Sequence, residues 1–557
     1  MEDTRKNILS SVFYKYRYHF FLGMIVLIAA INLTIDIMEI DAAQYASISL
    51  EMSGSGSYLQ VMQRGQDYLD KPPLLFWLSS VSISLFGNSN IGYKLPAVLM
   101  LIIALWATFS FAKLWYDRRT GIIAVLILGT TQGYHLMTND VRTDGLLTAF
   151  VILSVWLLSL YLKHGKWSHL ILGGFCTGAA MLAKGPIGMV IPAMAILGHL
   201  ILNKEWKKLF NPAWLLLLIP VVIVLAPMCY GLYTQFDLHP EKEVYGMKGP
   251  SGLMFYFWTQ SFGRITGDSQ WHNNAPVYYF FQTMLWDFQP WIILFFPALV
   301  RKMISWWKQN KWNEQKPEWI SLSGFVLPFI ALSMSGYKLP HYIFPLFPFA
   351  AVITADHLVR TAERLPRWFE YFQMFIVHLL FAASLLILLW VFPDHSIWIL
   401  FLFPVFYFLF WWTRIKSVDA ADRWLMPSLA GVIFFQLVMS LHFYPQLLKY
   451  QSSSEAGKYI AAEKPAHAYW YDQSGFALDY YSGHTIPNIT REKMDTLMTG
   501  CWIYVTAAAL SQMPANKIIR IFDDYRVTVL SMEFLNPATR NTKVKKIYLI
   551  ELKGGNR

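Results

Sequence analysis

An α-helical protein that crosses a membrane many times is the fold class this sequence predicts, on three observations. The 557 residues are 55% hydrophobic and only 15% charged, too little polar surface for a soluble protein of this length. Uncharged apolar cores recur at 21–31, 185–198, 214–228, 379–392 and 424–440. Each can span about 30 Å of hydrocarbon as a helix, alone or with its flanks. The runs are continuous rather than alternating, which excludes a membrane barrel.

The first segment, 17–37, follows a basic leader of Arg5, Lys6, Lys15 and Arg17. Asp36, Glu39 and Asp41 follow its apolar core, and no small-residue cleavage site stands there, so it reads as a retained helix. Further helices are expected at 92–112, 119–136, 143–162, 168–183, 185–203, 212–231, 282–300, 320–336, 341–357, 371–392, 395–412 and 424–443, making thirteen. Alternate connections carry the bases: Lys113 to Arg119, Lys163 and Lys166, Lys204 to Lys208, Arg301 to Lys311, Arg360 to Arg367, and Arg414 to Arg423. The positive-inside rule then puts the amino terminus in the cytoplasm, and an odd count puts 446–557 outside. Topology accounts for most of the net charge of +11, which gives no sign of nucleic-acid binding. Cys176, Cys229 and Cys501 make no disulfide framework.

Two units follow. Residues 1–445 form the transmembrane region, with outer loops at 38–91 and 232–281. Residues 446–557 have mixed composition, with short strand-like runs at Ala468–Tyr471, Cys501–Thr506, Lys517–Ile521 and Lys545–Leu552 and helical turns at 454–463 and 491–499. They predict a small extracytoplasmic α/β domain that supports the membrane region or contacts an acceptor.

The unusual acids and bases gather on the outer face. Asp41 opens a periodic stretch, Tyr45, Ile48 and Met52, that reads as an interfacial helix. Its carboxylate is either a cap for that helix or a general base at the membrane surface. Asp70-Lys71-Pro72-Pro73 starts a second apolar helix and brings Lys71 to the headgroup level, where a lysine reaches phosphate. Asp140, Arg142 and Asp144 are either a salt-bridged helix end or part of a site. Lys184, Arg264, His272, Lys338 and His341 add cations to the same rim. Carboxylates among several cations suit a phosphate-linked leaving group and a nucleophile that must be deprotonated.

The motifs Asp41-Ala42-Ala43-Gln44-Tyr45-Ala46, Tyr68-Leu69-Asp70-Lys71-Pro72-Pro73-Leu74, Ala183-Lys184-Gly185-Pro186 and Lys338-Leu339-Pro340-His341-Tyr342 occur in the order seen in one family. Over roughly residues 17–357 the chain resembles the bacterial lipid A aminoarabinose transferases and the related protein O-mannosyltransferases. The resemblance implies the GT-C architecture, a bacterial inner-membrane location, and sugar transfer from a polyprenyl (undecaprenyl) phosphate at the periplasmic face. The acceptor would be a lipid A-like glycolipid or a protein, and the enzyme a monomer. It further implies Asp41 as the base, Asp144 as a second acidic position, and Lys71 and Arg264 near the lipid phosphate. Tyr45, Tyr68, Lys184, Lys338 and Tyr342 belong to the substrate-binding motifs. Asp70 and His272 match positions that hold a divalent metal, zinc or else magnesium or manganese. The aminoarabinose enzymes commonly have Glu at the position of Asp70, and Glu and Arg where this chain has Ala42 and Gln44, so the donor sugar is left open. A lipid or solute transporter is the rival reading, but it predicts ionisable groups near the bilayer midplane and inverted repeats.

Overall fold

The computed structural model describes residues 2–260, 263, 273, 275–308, 316–393, 397–417, 419–494, 500–513 and 516–553, the side chains of 2–14 aside. Helix α1 (Glu2–Asn32) is followed by α2 (Asp41–Ser55), α3 (Leu74–Phe86), α4 (Asn90–Trp115), α5 (Arg118–Gly129), α6 (Gln132–Asn139), α7 (Thr143–His164), α8 (Trp167–Lys184) and α9 (Ile187–Leu202). Local chemistry sets several of these starts. Ser89 accepts a hydrogen bond from the Gly92 amide at the head of α4, and Asp117 accepts one from Thr120 at the head of α5.

Helix is found at each of the thirteen expected segments, but several are broken. Among the described residues, seven helices are long and apolar enough to cross a membrane: Asn90–Trp115, Thr143–His164, Trp206–Asp237, Pro340–Arg364, Arg367–Val391, Trp398–Lys416 and Ala420–Tyr450. The expected span 119–136 divides between α5 and α6, because Thr131 caps the Tyr134 amide and starts a new helix. The expected span 282–300 is interrupted at Phe288–Trp291, which contains Pro290, and resumes as Ile292–Trp307. A 3₁₀ segment, Pro340–Leu346, precedes Phe347–Thr361. Breaks account for two of the expected segments outside this set, 119–136 and 282–300; Ile187–Leu202 and Ile320–Ser333 are unbroken but shorter.

Helix α2 starts as expected but is not capped by Asp41. Its N-cap position is Ile40, without a side-chain cap bond, and the Asp41 carboxylate turns to Arg142 instead. Nor is α2 a one-sided interfacial helix: Ala42, Ala43, Tyr45, Ala46, Ser47, Ile48, Ser49 and Met52 are all buried. A two-stranded hairpin, β1 (Met62–Gln63) with β2 (Gln66–Asp67), covers it, and Gln44 donates to Gln63 at 3.0 Å. A second hairpin pairs β3 (Glu243–Val244) with β4 (Met247–Lys248).

The carboxy-terminal unit is a four-stranded sheet of order β5-β6-β8-β7: Ala468–Tyr471, Trp502–Thr506, Lys545–Leu552 and Asn516–Asp524. β5 runs parallel to β6, and the other pairs are antiparallel. Its helix Phe476–Ser482 docks on the first outer loop. Tyr480 donates to the Ser89 carbonyl at 2.8 Å, Tyr481 to Asn90 at 2.6 Å, and Arg64 pairs with Asp479 at 2.6 Å. Ala477 and Tyr480 belong to the same apolar core as the membrane helices.

Candidate active site

The short connection between α6 and α7 carries Arg142, and this side chain organises the site. One nitrogen of its guanidinium lies 2.6 Å from Asp41 and another 2.8 Å from Asp140. Asp140 is buried, and burial raises its carboxyl from the ordinary range although Arg142 acts against this. Burial opposes the charge on Arg142, but Asp140 and Asp41 outweigh it and raise its pKa. Removing the arginine would leave a buried carboxylate without its partner, a far larger loss than breaking a surface pair.

Asp41 is the accessible member of this group. Its side chain is 36% exposed, against 7% for Asp140. Arg142 holds one carboxylate oxygen, and the other has no hydrogen bond among the described residues. A fixed and half-exposed carboxylate of this kind can accept a proton from a bound group.

Asp144, in the first turn of α7, forms a separate pair. Its side chain is 4% exposed, one oxygen accepts from Lys184, and His341 Nε2 approaches the other at 3.8 Å. The Lys184 ammonium also lies 4.2 Å from the centre of the Tyr342 ring. The three charges read as one cluster in the sequence therefore divide. Asp140 and Arg142 position Asp41, while Asp144 holds Lys184.

Lys71 reaches the same region from the head of α3. It donates to Asp70 at 2.7 Å, and Gln260 donates to the other Asp70 oxygen at 3.1 Å. Lys71 lines a small, mainly apolar pocket with Leu59, Tyr68, Pro73, Met228 and Tyr256. Gly231 makes this wall possible: a Cβ there would lie 2.2 Å from the Leu59 carbonyl oxygen. The Tyr68 hydroxyl is buried without a partner among the described residues. Burial, with Asp70 and Tyr45 nearby, raises its pKa well above that of an ordinary phenol. Tyr45 is likewise raised by burial, within the fields of Asp41, Asp70, Arg142 and Asp144. His341 sits within reach of Arg142, Lys184 and Lys71.

Most of the expected residues thus converge, with exceptions. Lys338 turns away: its ammonium donates to the Ala275 carbonyl at 2.9 Å, and its backbone pairs with Asn273. It fixes the loop before helix Tyr279–Asp287 rather than joining Asp41 and Lys71. Arg264 and His272 lie outside the described residues. For the expected metal, Asp70 is committed to Lys71 and Gln260, and no group of three His, Cys, Asp or Glu side chains gathers as a ligand set among the described residues. Gln260 and the positioning role of Arg142 were not apparent in the sequence. The available signal was that every charge buried in an apolar setting needs a partner.

The chain resembles known proteins in sequence and in fold. Residues 70–230 match the family model described as dolichyl-phosphate-mannose-protein mannosyltransferase. An undecaprenyl phosphate-alpha-4-amino-4-deoxy-L-arabinose arabinosyl transferase of Edwardsiella ictaluri is 27% identical over 325 residues, covering 58% of this chain and 55% of that protein. The corresponding protein of Aeromonas hydrophila is 28% identical over 332 residues, covering 57% and 55%. The matched region spans little more than half the length of these curated relatives. Among solved structures, ArnT from Cupriavidus metallidurans bound to undecaprenyl phosphate superposes with a TM-score of 0.72 at 15% identity, covering 96% of this chain and 99% of that one.

Proposed function

We propose that this chain, which has the GT-C fold and is a sequence relative of the aminoarabinose transferases, moves a sugar from a polyprenyl phosphate to an envelope acceptor. The observation that carries the reading is the accessible Asp41 carboxylate, fixed by Arg142, close to a lysine that lines an apolar cavity. The donor's phosphate sits at Lys71, and its lipid passes over the apolar surface of Leu59, Pro73, Met228 and Tyr256. Asp41 takes the proton from the acceptor hydroxyl or amine. The acceptor atom attacks the anomeric carbon from the face opposite the phosphate, and the bond between that carbon and the phosphate oxygen breaks. Its electron pair leaves with the polyprenyl phosphate, whose growing charge Lys71 stabilises. The single displacement inverts the sugar, and water later removes the proton from Asp41.

The protein is placed in the bacterial inner membrane with its amino terminus cytoplasmic and the carboxy-terminal unit periplasmic, following the loop charges. A lipid A-like glycolipid is the preferred acceptor, with protein as the second reading, and a monomer is sufficient because both walls of the site come from one chain.

Asp41→Asn tests the base. With purified lipid-linked donor and acceptor, transfer falls by about 10²–10⁴-fold while undecaprenyl phosphate still binds. Full transfer by a folded Asp41→Asn protein would sink the proposal.

A further inference from the structure

The stretch that follows β7, residues 525–535, combines a rigid base with an apolar tip. The base is pinned from inside. Tyr525 and Phe534 stack with ring centres 3.7 Å apart. The Tyr525 hydroxyl donates to the Val529 carbonyl at 2.7 Å and accepts from the Ser531 amide at 3.0 Å, while the Ser531 hydroxyl accepts from the Phe534 amide at 3.2 Å. Arg540 ties this base to the membrane region. It donates to the Phe534 carbonyl at 3.0 Å and to the Val391 carbonyl, and its guanidinium lies 4.3 Å from the centre of the Phe392 ring. Val527 and Phe534 are buried in one apolar cluster with Val391, Phe392, Phe443 and Leu447. Those four lie at the ends of two helices long enough to cross a membrane, Arg367–Val391 and Ala420–Tyr450.

The tip has no such cover. Val529 is 55% exposed, Leu530 42% and Met532 73%, on a backbone that the contacts above hold in place. Apolar side chains held out together in this way mark a contact surface. The neighbours say what it faces. The last two turns of helix Arg367–Val391 expose Leu386, Leu389 and Trp390, as the lipid-facing side of a crossing helix does, and the tryptophan falls where a membrane boundary carries its aromatic belt. Arg526 is exposed at the base of the tip and has no ion pair among the described residues. The acid of the stretch, Glu533, lies beside Ser531 and Lys543.

We propose that residues 529–532 dip into the adjoining leaflet and give the carboxy-terminal unit a membrane contact of its own. The partner is a lipid surface. Val529, Leu530 and Met532 enter the boundary between headgroups and acyl chains, and Arg526 meets headgroup phosphate. The unit is then held at two places: on the first outer loop through Arg64, Tyr480 and Tyr481, and on lipid through this tip. Its height above the bilayer is fixed whatever chemistry Asp41 performs.

The test uses the full-length protein in nanodiscs of phosphatidylcholine and phosphatidylglycerol, in a background lacking Cys176, Cys229 and Cys501. Leu530→Cys and Met532→Cys are compared with Lys517→Cys, an exposed position near the opposite end of β7. Unchanged undecaprenyl phosphate affinity shows that each variant is folded. An anionic methanethiosulfonate should react about tenfold more slowly at 530 and 532 than at 517, because the thiolate forms and meets the reagent only in water. With bimane on the same cysteines, doxyl-labelled phosphatidylcholine in the nanodisc should lower emission about twofold at 530 and 532 and leave 517 unchanged. Equal reaction rates at the three positions would overturn the proposal. So would slow reaction at 530 and 532 without doxyl quenching, which puts protein rather than lipid over the tip. Equal doxyl quenching at 517 would also overturn it, since the unit would then meet the bilayer through another face.

Discussion

Arg142 illustrates how a single side chain can carry a site. It joins Asp140 ahead of α7 to Asp41 on α2, which lies 101 residues before Arg142 in sequence. Arg142→Ala should cost about 3–5 kcal/mol of stability, because Asp140 then loses its counter-charge. Arg142→Lys keeps the charge but not the two-sided fork, so it should fold and still lose at least about tenfold in kcat with little change in KM. Thermal melting and steady-state kinetics separate the two effects; equal kcat for the lysine variant and wild type would reduce Arg142 to a structural residue. Lys71→Gln should weaken undecaprenyl phosphate binding by about 10- to 150-fold, the loss of one charged contact of about 1.5–3 kcal/mol. Asp41, Lys71, Asp144 and Lys184 all stood out in the sequence as charges at the ends of apolar segments. Their pairing did not. Asp144 lies three residues from Val141 and two from Arg142 in sequence, yet its partner is Lys184 at the end of α8, because helix direction decides where each charge points.

At the scale of elements, the junction between the first outer loop and helix Phe476–Ser482 sets a pH dependence. Burial pushes the Glu39 carboxyl up to about 7, even though hydrogen bonds from Ala477 and Ser453 favour its ionised form. The folded protein therefore keeps this proton at pH values where the unfolded chain has released it. Stability falls as pH rises from the ordinary carboxylate range to about 7, and the loss is complete above that. Glu39→Gln keeps an oxygen to accept from Ala477 and removes the slope. Its melting temperature should match wild type near about pH 5 and exceed it near about pH 8. Parallel melting curves for the two proteins across that window would contradict this assignment. The strands of the carboxy-terminal unit were legible as short alternating runs, and three of the four lie within a residue or so of their expected places. β7 extends further, over Asn516–Asp524, because it pairs with β8 along its length through an irregular register at Ile518 and Arg520. The break between α5 and α6 falls at Thr130 and Thr131, between Gly129 and Gly133, inside a run otherwise apolar enough to read as one helix.

For the whole molecule, hydropathy revealed the membrane-spanning class and the order of its helices. It registers apolar composition and not the turns at 130–131 and 288–291, which break two of the expected segments. It also gave no hint that the carboxy-terminal unit adds Ala477 and Tyr480 to the core of the membrane region. The orientation deduced from loop charge has a direct check. In a background lacking Cys176, Cys229 and Cys501, Ser474→Cys in spheroplasts should react with a membrane-impermeant maleimide, and Lys166→Cys should not. The reverse labelling pattern would invert the topology and put the Asp41 face in the cytoplasm.

The most direct measurement of the central claim is release of undecaprenyl phosphate by the pure protein from a panel of undecaprenyl phosphate-linked sugars, with purified lipid A as acceptor. Wild type should release lipid phosphate in step with one modified acceptor per turnover, and Asp41→Asn should release essentially none. Release at the same rate from both proteins, or binding of every donor with release from none, would contradict transfer at Asp41.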